Sequence, residues 1–64
     1  MLMTPTEYAA HKATELARIE IAMVAARTAG QAARAAGDFR AECAADGELS
    51  RLYQLRRNLT DVAQ

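Results

Sequence analysis

The longest regular pattern in the chain lies in its first half. From Thr6 to Ala36 there is no proline, and Gly30 alone interrupts a run dominated by alanine, leucine, arginine and glutamate, the residues that cost least in a helix. Within that run Leu16, Ile19, Met23, Ala26, Gly30, Ala33 and Gly37 recur at alternating spacings of three and four. This is an a/d seam, the pattern with which one helix packs along another. Its first half is bulky and its second half small, so two backbones should converge towards Gly37. A second set (Ala10, Ala13, Ala17, Ile21, Val24 and Thr28) falls on the other side of the same helix. A helix apolar on two faces is central to a bundle or touches two partners.

The start of this helix is marked by Thr4-Pro5-Thr6-Glu7. Thr4 is a candidate N-cap, Pro5 occupies the first turn where no N–H is needed, and Glu7 can reach back to the Thr4 amide. Gly37 is the natural C-terminal stop. The predicted elements are a helix over residues 5–36, a turn at 37–38 and a helix over 39–63. Asp38 is the N-cap candidate of the second helix. Asp46-Gly47 is a turn signal, and a break there would make three helices. No apolar residue marks a change of direction at that point, which favours one continuous helix. Leu52, Leu55, Leu59 and Val62 give it a stripe at spacings of three, four and three, widened by Leu49 and Tyr53.

These elements predict an all-α fold, a single helical domain over residues 1–64 folded as an αα-hairpin. Packed antiparallel, Leu52 to Val62 would lie near Tyr8 to Met23, with Phe39 and Cys43 near Ala26 to Ala33. Cys43 is thereby expected as a small buried residue of the hairpin core, and Tyr8, Phe39 and Tyr53 as core aromatics. The leftover face of Ile21, Val24 and Tyr53 would suit a second hairpin, giving a dimeric four-helix bundle, or a docking site on a larger partner.

Composition sharpens this expectation. The chain has 64 residues, its 8 basic and 8 acidic groups cancel, and 52% of it is hydrophobic. Sixteen of those apolar residues are alanine, each worth only about 0.8 kcal/mol per buried methyl. A core of this size supplies no more than about 3–5 kcal/mol, and one cysteine cannot form an internal disulfide. Association is the remaining supplement. Charge neutrality gives no bulk attraction to nucleic acid or membrane. Met1-Leu2-Met3 has no basic region before it and is followed at once by polar residues, so no signal peptide is expected. Uncharged stretches such as Ile21 to Ala26 are far short of a bilayer span. A cytoplasmic location follows as the default. Seven arginines against one lysine, with the alanine bias, fit a GC-rich bacterial or phage genome.

The expected architecture resembles that of the small plasmid-copy-number RNA-binding protein called Rop, a dimer of helical hairpins. The resemblance is one of shape, without a shared motif, and fold does not carry function. Ala29-Gly30 and Gly37-Asp38-Phe39 also resemble the inter-helix turn of a tetratricopeptide repeat, but Glu42 and Asp46 stand where that pattern wants a small residue and an aromatic.

The residues that could carry chemistry are few. His11 shares a helix face with Glu7 and Glu15, a spacing able to hold a metal that reads more simply as a solvated helix face. Cys43 has no companion base in sequence, as nucleophilic catalysis requires. No glycine-rich phosphate loop and no paired carboxylates are present. The chain is therefore expected to be non-enzymatic and to need no cofactor or metal. Its expected role is that of an accessory subunit, adaptor or phage-type inhibitor that binds itself or a larger protein. Leu16, Ile19, Ile21, Met23 and Val24 on the first helix, with Leu52, Tyr53, Leu55 and Leu59 on the second, are the candidate interface residues. Arg27 and Arg34 would set polarity at the rim. The alternative is a nucleic-acid-binding regulator using Arg51, Arg56 and Arg57. Against it, Arg56 falls between Leu49, Leu52, Tyr53 and Leu59, where its stem can cover apolar surface and its head can pair with a carboxylate such as Glu20.

Overall fold

The computed structural model describes residues 2–61, which form two helices: α1 (Pro5–Ala35) and α2 (Phe39–Asp61). Val62 and Ala63, which close the predicted second stripe and helix, lie outside the described residues. The start of α1 follows the sequence signal. The Glu7 amide donates to Thr4 Oγ1 at 3.1 Å, and the Thr4 amide donates to Glu7 Oε1 at 3.4 Å. Both arms of the capping box are made, with Pro5 in the first turn.

The turn is a Schellman motif. The Asp38 amide donates to the Ala33 carbonyl at 2.8 Å and the Gly37 amide to the Arg34 carbonyl at 3.1 Å. These bonds satisfy carbonyls that the helix end would otherwise leave open. The motif needs one residue in the left-handed region, and Gly37 supplies it at φ 71°. Asp38 then changes role and caps α2, its Oδ1 accepting from the Ala41 amide at 3.1 Å. Two residues thus stop one helix and start the next, which forces α2 back antiparallel along α1. α2 runs unbroken through Gly47, as the lack of an apolar marker at 46–47 suggested. The molecule is a rod of 49 × 18 × 16 Å.

The seam of α1 packs as its spacing predicts. Met23 is fully buried, Ala26 and Ala33 are buried, and Leu16, Ile19 and Gly30 are half-buried. Met23, Ala26 and Leu52 form the core, with Ile19, Ala22 and Leu49 packed against it. The taper is present too. At the closed end a Cβ on Gly30 would stand 3.5 Å from the Ala45 Cβ, so the small residues let the backbones meet closely.

The face of α2 that meets α1 differs from the predicted stripe. Its inward positions are Glu42, Ala45, Leu49, Leu52, Arg56 and Leu59, again spaced by threes and fours. Leu55 is excluded from this line and stays exposed. The phase that places both Leu49 and Leu52 inward brings Arg56, rather than Leu55, into the next turn. The same phase corrects two further expectations. Phe39 is 76% exposed and Cys43 is exposed, because Glu42 and Ala45 hold the inward positions opposite Ala26 to Ala33. Tyr8 and Tyr53 are also exposed rather than core residues.

Candidate functional site

The outward face of α1 is the least conventional surface of the hairpin. Ile21 is 71% and Val24 56% exposed, and both stand near the middle of the helix. Around them Ala10, Ala13, Ala17, Thr28 and Ala35 are exposed as well. At about 100° per residue these positions lie on the side of α1 remote from α2. None of them is charged. Thr14 and Thr28, on the same face, turn their hydroxyls inward. Thr14 Oγ1 donates to the Ala10 carbonyl and Thr28 Oγ1 to the Val24 carbonyl, each at 3.0 Å. Their donors are satisfied within the helix, which leaves methyl groups facing out.

The predicted interface residues separate into two groups. Met23 and Leu52 are buried between the helices, and Leu16, Ile19 and Leu59 are half-buried there. These residues build the hairpin. Ile21 and Val24 face away from it, and Tyr53 and Leu55 lie on α2 outside the inward line. Sequence reasoning identified the outer set from Ala10 to Thr28 but did not include Thr14, Gln31 and Ala35. The four-and-three spacing that continues through them was the available signal. Their polar side chains, in Thr14 and Gln31, obscured it.

The arginines also separate. Arg56 Nη1 donates to Glu20 Oε1 at 2.8 Å across the hairpin, and its guanidinium sits 5.2 Å from the centroid of the Tyr53 ring. The expected pairing with Glu20 is therefore made, and the half-buried stem covers the core between Leu52 and Leu59. Arg51 is held by Glu48 through two hydrogen bonds, Nε to Oε2 at 3.2 Å and Nη2 to Oε1 at 2.6 Å. This fork lowers the Glu48 pKa from its ordinary value, chiefly through the hydrogen bond, which outweighs an opposing desolvation and is helped by charge attraction, and it raises the Arg51 pKa through the same bond and charge. Arg51, Arg56 and Arg57 point in three directions around α2, since steps of five and one residues turn by about 140° and 100°. The structure does not bring them into one patch.

Arg34 approaches Glu42 at 3.7 Å. Arg27 makes no ion pair among the described residues. Together Arg27, Gln31, Arg34, Glu42 and Asp46 edge a shallow cleft of about 170 Å³ at the closed end. At the open end His11, Glu15, Ile19, Leu55, Asn58 and Leu59 line a wider, more open groove. Glu15 is half-buried there and pairs with Arg18 at 3.5 Å, so this part of the His11 face borders a groove rather than bulk solvent alone. Among the described residues no three of histidine, cysteine, aspartate and glutamate gather closely enough to hold a metal ion. No described helix is long and apolar enough to cross a membrane.

No protein-family model matches the chain, and neither does any curated protein or solved structure.

Proposed function

We propose that the chain is a non-enzymatic protein–protein interaction module, an accessory or adaptor hairpin that binds through the outward face of α1. The observation that carries this reading is the charge-free exposed strip centred on Ile21 and Val24. Contiguous apolar surface on a small domain marks a binding face more often than an idle one. Charged residues are absent from the centre of that strip, as at the core of a protein interface, while Glu20 and Arg27 stand at its rim.

Photo-crosslinking in the native cells tests this reading. A photoreactive residue replacing Ala17 should yield covalent adducts with protein, whereas one replacing Gln54 on the outer side of α2 should yield far fewer. Adducts with RNA or DNA would point to a nucleic-acid regulator instead. Equal labelling from both positions, or none from Ala17, would reject the α1 face as the binding surface.

A further inference from the structure

We infer that the occupant of the α1 face is the α1 face of a second copy of this chain, packed antiparallel about a two-fold axis between Ile21 and Val24. This inference rests on the reading above and names its partner. The outward positions form a second a/d seam, which follows the buried one at an offset of two residues, about 200° around the helix. The two seams face opposite ways, so a second copy can dock along α1 and meet α2 only at the rim, where Glu20 holds Arg56.

The outward seam can pair with itself when reversed, with residues of similar size meeting near its centre. In an antiparallel pair the a position of one helix layers against the d position of the other. Here that rule matches Ile21 with Val24, Ala17 with Thr28, and Thr14 with Gln31 at one register. The two large residues meet in the central layer. The layers on either side combine alanine with the methyl groups of threonine, whose hydroxyls are already bonded to their own backbone. Small layers of this kind allow helices to approach closely.

Charge fixes the direction. The flanking g positions of this seam include Glu20 and Arg27. In the antiparallel register Glu20 of one copy faces Arg27 of the other, and the two-fold repeats the pair. Glu20 uses only Oε1 on Arg56, which leaves Oε2 for a second guanidinium. In a parallel pair, where g faces the following e position, Glu20 would meet Ala25 and Arg27 would meet Ala32. Only the antiparallel arrangement joins opposite charges.

The test uses the full chain with Cys43→Ser to remove the native thiol. Thr14→Cys and Gln31→Cys are added in separate preparations, equilibrated together and treated with a short bismaleimide. The antiparallel register predicts a covalent product joining the two variants. It predicts none in either preparation alone, where like thiols would stand about 25 Å apart at 1.5 Å per residue. Self-linking of the Thr14→Cys chain would indicate parallel pairing and overturn the inference. Light scattering supplies the second arm, in which the parent chain should be a dimer and Arg27→Glu should weaken it at least about tenfold. A helical monomer at every concentration would also overturn the inference. In that case adducts from Ala17 to a different protein would leave the interaction reading standing, and their absence would remove both.

Discussion

The sharpest test of how the hairpin is held together is Met23→Ala. Met23 has no exposed surface, and among the described residues the other buried ones are two alanines and Leu52. Truncating a buried methionine to alanine costs about 2–5 kcal/mol, from lost transfer energy and the cavity left behind. A chain of this size holds about 3–5 kcal/mol in total. The loss is therefore a large share of the total stability, and at its upper end equals it. The assay is urea unfolding followed by far-ultraviolet circular dichroism. With a slope near 1 kcal/mol per molar urea, the midpoint should fall by about 2 M or more, or the helical signal should vanish in buffer. Met23→Leu conserves volume and should cost less than about 1.5 kcal/mol. Ile21→Ala, at an exposed position, should change hairpin stability by no more than about 0.5 kcal/mol in dilute solution. A midpoint shift under about 0.5 M for Met23→Ala would refute the reasoning, because the residue could then not be the centre of the core.

Two glycines should respond oppositely. A Cβ at Gly47 meets nothing within 4 Å in the middle of α2, so Gly47→Ala should add about 0.5–1 kcal/mol and raise Tm by several degrees; a lower Tm would mean that α2 is not continuous there. Gly37→Ala forces a side chain into the left-handed region at φ 71° and should cost about 1–2 kcal/mol, visible as a lower Tm. The Glu48–Arg51 fork predicts a pH effect. The folded-state pKa of Glu48 lies below its unfolded value, so its contribution is present above the ordinary glutamate range and lost as pH falls through the folded value. The Tm advantage of the parent over Glu48→Gln should therefore exist at neutral pH and close in strong acid, and a gap independent of pH would refute it.

Both helices and the turn were legible because their signals are local. Thr4 and Glu7 cap by reaching three residues, and Gly37 and Asp38 complete a motif that closes within the last turn of α1. The α1 seam was legible because its spacing continues over seven positions without competition. The phase of α2 was not. The leucines at 49, 52, 55 and 59 fit either of two stripes, one ending on Val62 and one passing through Arg56. Counting arginine as polar favours the first. The structure adopts the second, because the Arg56 stem packs as an apolar group while its head reaches Glu20 across the hairpin. Both the packed stem and the Glu20 partner were legible from the place of Arg56 among the leucines, but periodicity within α2 alone does not select the stripe that passes through it. The exposure of Phe39 follows from the same phase. The outward strip was only partly legible, since the Thr14 hydroxyl and the Gln31 amide mark as polar two positions that continue its spacing.

The tight turn also sets the order in which the chain can fold. Contacts beside it join residues close in sequence, such as Gly30 and Ala45, whereas the Glu20–Arg56 pair spans 36 residues. Closing a loop costs more as it lengthens, by about 0.6 kcal/mol for each doubling. Ladder growth from the turn avoids most of that cost, because each new contact shortens the loop still open. Yet the early rungs are alanine and glycine, which gain little on closing. The chain must zip some distance on weak contacts before Met23 and Leu52 meet and make the step downhill. The barrier therefore falls at that meeting, well away from the turn, and the rate of folding is governed by residues that are distant from the point where folding begins.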